Sequence, residues 1–208
     1  MQLTNEMAYL IGALRDGTVT RYQSKNQNNY HSYVAVYNKN LIWIKYVQKI
    51  FDNLFLGKSK ITRTKNGIYY VRRYSKQIVS MFEKEFQHPI GKQINWRTPS
   101  ALLNSNDREI WRNYIGGFFD AEGGTIPERQ IIFYLSWNGN TCPVLEDIKF
   151  KLKILFNIDS GRVSGRENTN GIYPRFCLRI YKKENRKLFI DNIKIYNPSK
   201  IQRLVGSR

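Results

Sequence analysis

The chain has 208 residues and carries 34 Lys and Arg against 16 Asp and Glu, which gives a formal net charge of +18. Because 41% of the residues are apolar, the chain can build a core, and its basicity is not that of a disordered tail. No segment reaches the roughly 18 consecutive apolar residues of a membrane span. Two cysteines, Cys142 and Cys177, form neither a disulfide framework nor a metal-binding motif.

The apolar pattern predicts seven elements in the first half of the chain, in the order helix, strand, strand, helix, strand, strand, helix. They cover residues 6–16, 18–25, 31–37, 40–55, 58–64, 68–74 and 76–86. Asn40 and Ser75 are predicted N-caps, and Asn66-Gly67 supplies a hairpin turn that permits positive φ. Residues 87–107, which include Pro, Gly, Asn and Ser, are predicted to form a linker.

The second half repeats this order of elements. They cover residues 108–122, 125–128, 130–137, 143–156, 161–166, 172–181 and 183–195. The tetrapeptide NGIY at 66–69 recurs at 170–173, at the corresponding place in each predicted hairpin. We therefore predict an α+β protein made by duplication, with a first repeat at 1–86 and a second at 108–208.

The positive charge is spread over both repeats. Divided after residue 104, the first half has 16 basic and 5 acidic residues (+11) and the second has 18 and 11 (+7). Basic residues are dispersed among aromatic ones. They are not gathered on one amphipathic helix, as they are in proteins that bind membrane surfaces. This pattern predicts a nucleic acid that contacts both halves, and no membrane partner.

The first helix of each repeat ends in an acid followed by glycine. The segments read AYLIGALRDG (8–17) and NYIGGFFDAEG (113–123), with small residues inside apolar helices, where Gly costs about 1 kcal/mol relative to Ala. Close packing of the two helices would explain the small residues and would bring Asp16 and Glu122 together at one end.

Carboxylates at the negative ends of two helix dipoles are unfavourable without a cation. Their oxygens suit a hard ion, so the pair predicts Mg²⁺ and phosphodiester hydrolysis by water. The alternative is that Asp16 and Glu122 are ordinary polar residues before glycine C-caps. Their occurrence in both repeats of a basic chain favours the metal site.

These segments resemble the signature motif of the LAGLIDADG homing endonucleases, IGGFFDAEG (115–123) closely and YLIGALRDG (9–17) less so. The resemblance covers nearly the whole chain, because the order of elements is that of the family's single-chain, two-repeat members from archaeal or organellar introns. It implies two pseudo-symmetric αββαββα repeats that form a saddle of antiparallel sheets in the major groove of double-stranded DNA. The motif helices would lie at the interface of a monomer.

The same resemblance implies a chemistry and a location. The two terminal acids would bind Mg²⁺, which Mn²⁺ or Ca²⁺ could replace in binding, and both strands would be cut with 3′ overhangs. The protein would work in the cytoplasm of an archaeon or inside an organelle. The first ten residues contain neither a basic region nor a cleavage site, so we expect no signal peptide.

The two motifs differ in length by one residue. With Gly12 aligned on Gly117, Asp16 falls on Ala121 and not on Glu122. One residue is about 100° of α-helix, so Asp16 reaches the metal only if its helix end adjusts. We assign it this role because it directly precedes the glycine.

The resemblance also implies supporting catalytic residues. A basic residue near the junction of the last strand and last helix would organise the attacking water, which points to Lys76 and Lys182, with Lys183 as a competitor. A polar residue just after the second strand would join this network, which points to Asn38 and Asn138. The alternatives are solvated lysines and ordinary loop asparagines.

Base readout needs side chains on one face of each strand. Strand periodicity places Arg21, Gln23 and Lys25 on a common face, which we expect to be the DNA face. The other candidate DNA-binding residues lie on or beside the predicted strands of both repeats: Arg63, Lys65, Tyr70, Arg72, Arg129, Arg162, Arg166, Arg175 and Arg179. For each of them, a phosphate contact or plain solubility is the alternative.

Three functions are open at this point. The first is a site-specific, Mg²⁺-dependent DNA endonuclease, and it requires cleavage that is lost when Asp16 or Glu122 is replaced. The second is a maturase that binds intron RNA, and its binding would survive those replacements. The third is a DNA-binding protein that does not cut.

Overall fold

The computed structural model describes residues 2–23, 30–126, 129–167 and 172–205, and these form eight helices and eight strands. The helices are α1 (Asn5–Ala13), α2 (Leu41–Leu54), α3 (Lys76–Glu85), α4 (Ser100–Leu103), α5 (Arg108–Glu122), α6 (Pro143–Phe156), α7 (Lys183–Asn192) and α8 (Pro198–Val205). The strands are β1 (Gly17–Gln23), β2 (Tyr30–Asn38), β3 (Lys60–Arg63), β4 (Tyr69–Tyr74), β5 (Gly123–Ile126), β6 (Gln130–Ser136), β7 (Ser164–Arg166) and β8 (Arg175–Ile180). A 3₁₀ turn, Leu14–Asp16, joins α1 to β1.

Two four-stranded antiparallel sheets have the same strand order, β1-β2-β4-β3 in the first and β5-β6-β8-β7 in the second. The predicted α+β architecture of two αββαββα repeats is therefore confirmed. Alternation along the strands gives each sheet a buried face, which packs against the helices, and an opposite, open face. The buried faces carry Val19, Val34, Val36 and Val71 in the first sheet, and Ile131, Phe133, Leu178 and Ile180 in the second.

Local signals set the helix boundaries. The predicted N-caps are present: Asn40 Oδ1 accepts a hydrogen bond from Trp43 N (3.0 Å), and the Ser75 hydroxyl accepts one from Ile78 N (3.2 Å). Gly67 has φ = +78°, which the predicted turn requires. Both cysteines are free and buried, as their spacing suggests.

Two helices are not predicted by the sequence analysis. The short α4 lies inside the predicted linker, and α8 follows a predicted last helix that ends earlier than expected, at Asn192. Pro198 at the start of α8 is a typical first helical residue and was the available signal. The predicted turn at 26–29 and the first two residues of the second NGIY segment, 170 and 171, lie outside the described residues.

None of the helices in the described ranges combines the length and the apolar character that crossing a bilayer requires.

Candidate active site

The two motif helices, α1 and α5, pack against each other through glycine. A Cβ atom on Gly12 would stand 2.5 Å from the backbone nitrogen of Phe118, and one on Gly117 would stand 3.0 Å from that of Ala13 and overlap the carbonyl oxygen of Tyr9. Because these neighbours are backbone atoms, they cannot rotate away. Glycine therefore lets the two helix backbones touch, and the ends of both helices emerge side by side.

A 3₁₀ turn at the end of α1 compensates for the short first motif. Gly12 lies opposite Gly117, and from there α1 ends in the three 3₁₀ residues 14–16, whereas α5 stays α-helical to Glu122. A 3₁₀-helix rises about 2.0 Å per residue, so three residues span about 6 Å. An α-helix rises about 1.5 Å per residue and needs four residues to span the same length. Asp16 thus reaches the same level as Glu122, which is the adjustment that the missing residue requires.

The two acids interact electrostatically in a partly buried setting. Burial raises the pKa of Glu122 to about 7, and the neighbouring charge of Asp16 contributes to this rise. Burial also raises the pKa of Asp16, although a hydrogen bond from Asn38 Nδ2 to its Oδ2 (2.9 Å) opposes the shift. Without a cation, therefore, this pair resists carrying two full negative charges.

Two polar pockets flank the acids. One, of about 280 Å³, lies beside Glu122 and is lined by Arg15, Gln93, Glu122, Tyr134, Leu135, Ser136 and Arg175. The other, of about 360 Å³, lies beside Asn38, which hydrogen-bonds to Asp16. It is lined by Asn38, Lys39, Asn40, Asn197, Ser199, Lys200 and Arg203. Each pocket combines cationic side chains with hydrogen-bonding groups, and the second, which has no acidic lining residue, suits an anionic ligand.

Arg15 and Gln93 also lie at the acids, although neither is among the predicted site residues. Arg15 is only 8% exposed, lies 4.2 Å above the ring of Trp96, and donates from Nη1 to the carbonyl of Trp96 (2.8 Å). Its charge lowers the pKa of Glu122. Gln93, in the linker, donates to the carbonyls of Leu14 (2.6 Å) and Gly17 (2.5 Å), so it braces the 3₁₀ turn. Both residues act through contacts with distant parts of the chain, which a local sequence pattern does not predict.

A buried carboxylate, Asp120, fixes the chain that leads into α8. It is fully buried and accepts hydrogen bonds from the hydroxyl of Tyr9 (2.5 Å) and from the backbone nitrogens of Tyr196 (2.8 Å) and Asn197 (3.0 Å). Burial raises its pKa to about 6, in spite of these donors. With its oxygens occupied in this way, Asp120 is a structural anchor.

Lys200, on α8, is a further basic residue that the structure brings to the acids. Its Nζ donates to the carbonyl of Gly123, the residue after α5. Burial raises the pKa values of Asp16, Asp120 and Glu122, and the charge of Lys200 opposes each of these rises. Lys200 therefore interacts electrostatically with all three carboxyls.

The predicted lysines lie elsewhere. β4 begins beside Asn38, which pairs with Tyr69, and then leads away from the acids, so Lys76 starts α3 at the far end of the sheet. β8 likewise carries Lys182 and Lys183 away from Glu122, and the charge of Lys182 acts on the exposed Asp159. The strand direction thus places these predicted lysines apart from the two acids.

Of the two predicted asparagines, the structure places only Asn38 at an acid. Asn138 lies beyond the end of β6 and exchanges two hydrogen bonds with Asn95, each of 2.9 Å. The reason is register: Gly17 pairs with Val36, two residues before Asn38, but Gly123 pairs with Phe133, five residues before Asn138.

The candidate DNA-binding residues divide between the two faces of the sheets. Arg21 shares the covered face with Val19 and forms an ion pair of 2.7 Å with Glu83 of α3, so its face is not the open one that we expected. Arg63 also points to the covered side, as its strand neighbour Ile61 opposes the buried Val71. The candidates on the open faces are Tyr70, Arg72, Arg166, Arg175 and Arg179.

The remaining candidate DNA-binding residues lie at the margins of the sheets or outside the described residues. Lys65 lies in the β3–β4 turn, Arg129 lies just before β6, and Arg162 lies just before β7, all exposed. Gln23 belongs to β1, but its side chain and the whole of Lys25 lie outside the described residues.

Comparison with known proteins agrees with the fold and the motifs, although no protein-family model matches the chain. The resemblance to the LAGLIDADG homing endonucleases seen in the sequence is confirmed, and the two like sheets match the fold of I-DmoI. The chain is 28% identical over 202 residues to homing endonuclease I-ApeI of Aeropyrum pernix, an alignment that covers 94% of this chain and 84% of that protein.

Solved structures of I-DmoI have the same fold. The complex with DNA and Ca superposes with a TM-score of 0.68 at 18% identity and covers 97% of this chain and 98% of that one. The complex with DNA and Mn gives a TM-score of 0.66 at 18% identity, covering 92% and 97%.

Proposed function

We propose that the protein is a site-specific endonuclease that hydrolyses phosphodiester bonds in both strands of DNA with Mg²⁺ and leaves 3′ overhangs. One observation carries this proposal: glycine packing of α1 and α5 brings Asp16 and Glu122 together between two basic sheets. The similarity to I-ApeI supports it, as do the DNA and metal ions in the I-DmoI complexes.

The residues at the acids fit a hard divalent cation. Asp16 and Glu122 offer carboxylate oxygens at the negative ends of two helices, and each has a raised pKa that a cation would lower. Among the described residues no group of three His, Cys, Asp or Glu offers a competing site. A cation bound here would lower the pKa of an attacking water and stabilise charge on the phosphate.

The chain's own residues orient this site. Asn38 holds one oxygen of Asp16 by its hydrogen bond, which leaves the other oxygen for a cation. Arg15 supplies positive charge beside Glu122 and helps that carboxyl to ionise. Asp16 and Glu122 would hold the metal, and Asn38 would be a positioning residue.

The open faces of the sheets are the proposed DNA surface. In the first sheet the guanidinium of Arg72 lies 4.2 Å above the ring of Tyr33 and 4.9 Å from that of Tyr70. In the second, Arg175 lies 4.2 Å above Tyr134. Stacking holds these guanidinium groups in fixed planes, as bidentate recognition of guanine in the major groove requires.

The experiment is selection of cleaved sites from a randomised double-stranded DNA library in Mg²⁺ and in EDTA. The wild type is compared with Asp16→Asn, Glu122→Gln and the control Asp191→Asn, an exposed residue of α7. We expect Mg²⁺-dependent double-strand cuts by the wild type and the control. Both active-site variants should bind the selected site and fail to cut both strands. Normal cutting by either variant would contradict the proposal.

A salt titration tests the DNA surface independently. If six to ten phosphates are contacted, affinity should fall by about 10³ to 10⁵ between 50 and 200 mM salt. A nearly flat response would exclude a nucleic-acid ligand. Tight DNA binding without cutting in any divalent metal would instead support a regulator, and intron-RNA binding that survives Asp16→Asn would support a maturase.

A further inference from the structure

We propose that the C-terminal helix α8 supplies a phosphate-binding site beside Asp16, in which Lys200 contacts a backbone phosphate of the bound DNA. The inference rests on the proposed nuclease function. It adds to that function a site that neither signature motif contains.

The pocket between α8 and the β2–α2 turn has the chemistry of a phosphate site. Its volume is about 360 Å³, and none of its seven lining residues is acidic. Three of them are cationic, Lys39 on the turn and Lys200 and Arg203 on α8, while the others offer amide or hydroxyl groups. Asn38, which lines the same pocket, hydrogen-bonds to Asp16, so a phosphate bound here would lie next to the acid.

The second repeat fixes the start of α8. Asp120, two residues before Glu122, accepts hydrogen bonds from the backbone nitrogens of Tyr196 and Asn197. Asn197 returns a bond from Nδ2 to the carbonyl of Asp120 (3.2 Å), and its Oδ1 accepts one from Ser199 N (3.2 Å). These hydrogen bonds therefore fix the start of α8 against α5, the motif helix that carries Glu122.

The first repeat holds α8 from the other side. The ring of Tyr196 stacks on that of Tyr46 with centroids 3.8 Å apart, and Asn40 Nδ2 donates to the hydroxyl of Ser199 (2.9 Å). The C-terminal segment thus bridges both repeats, although the sequence analysis assigns it wholly to the second. Contacts on both sides therefore fix where α8 lies relative to both acids.

Lys200 is ready to accept an anion. Its Nζ uses one hydrogen to bind the carbonyl of Gly123, and an ammonium group has three. The remaining N–H groups can therefore donate to a phosphate oxygen. The competing interpretation is that Lys200 only balances the charge of the acids.

The test combines variants with DNA that lacks one charge at a time. Duplexes of the selected site carry a single neutral methylphosphonate at each position around the cut, and their affinity and single-turnover cleavage are measured. We expect Lys200→Ala to slow cleavage of normal DNA about 10- to 100-fold, the effect of losing one charge-assisted hydrogen bond. The exposed Lys187→Ala, on α7, is the matched control and should cleave like the wild type.

The decisive result is the coupling between variant and DNA. In the wild type, one methylphosphonate position should weaken binding and cleavage, and in Lys200→Ala the same substitution should have no further effect. The exposed Lys39→Ala keeps the test valid if Lys200→Ala does not fold, and it should reduce sensitivity at that same position. Equal sensitivity of the variants and the wild type at every position would overturn the inference.

Failure of the inference and failure of the proposed function give different results. If the wild type cuts and only the coupling is absent, Lys200 is a structural counter-ion and the nuclease proposal stands. If the wild type does not cut under any condition, the proposed function fails and the inference fails with it.

Discussion

Replacing Gly117 by alanine tests whether the motif helices touch through their backbones. In an ordinary helix this change would stabilise the protein by about 1 kcal/mol. Here the new methyl group would overlap the carbonyl oxygen of Tyr9 and stand 3.0 Å from the nitrogen of Ala13. Overpacking typically costs about 1–3 kcal/mol, and backbone neighbours place this site at the upper end. We therefore expect a net loss of about 2 kcal/mol, opposite in sign to the propensity effect.

The loss is measured as the free energy of unfolding in urea, with Lys49→Ala on the exposed face of α2 as a control for substitution within a helix. Separation of α1 from α5 would also move Asp16 away from Glu122, so cleavage should fall by more than the folded fraction does. A variant as stable and as active as the wild type would refute backbone-to-backbone packing at Gly117.

Three further predictions concern the buried polar groups. Since the pKa of Glu122 is raised to about 7 from 4.5, the metal-free fold binds a proton that the unfolded chain releases, so the free energy of unfolding in EDTA should fall between pH 4.5 and 7. Glu122→Gln should lessen this fall, and an unchanged pH dependence would contradict the assignment. Arg15→Met should raise the pKa of Glu122 further and shift the acid limb of the cleavage–pH profile to higher pH, which an unmoved midpoint would disprove. Tyr9→Phe removes the donor to Asp120 and the acceptor of the Trp43 indole (2.7 Å), and urea unfolding should show a loss of about 2–3 kcal/mol.

Much of the fold follows from periodicity. The order of helices and strands could be predicted because each amphipathic segment carries its own apolar pattern, and Asn40 and Ser75 mark their helices by local capping. Asp16 and Glu122 could be proposed because each directly precedes a glycine. These signals lie within a few residues of the features that they predict.

The predictions differ from the structure where a feature depends on contacts with a distant part of the chain. Alternation shows that Arg21 and Val19 share a face, but the covered face is identified only by the burial of Val19. Lys200 lies 78 positions after Glu122, and it reaches the acids through hydrogen bonds made by Asp120. No periodic pattern links such positions, so the sequence alone predicts one side of the active site and not the other.

The open faces of the two sheets carry different side chains, so the two ends of a bound duplex would meet different surfaces. Tyrosines dominate the first face, with Arg72 among them, whereas the second presents three arginines. A palindromic duplex offers the same groups to both halves and would leave one face mismatched. The preferred target should therefore be non-palindromic, with guanines concentrated in the half read by the second sheet. A duplex in which the bases of the two half-sites are exchanged would present each sheet with the groups suited to the other, and the protein would read it as a different sequence.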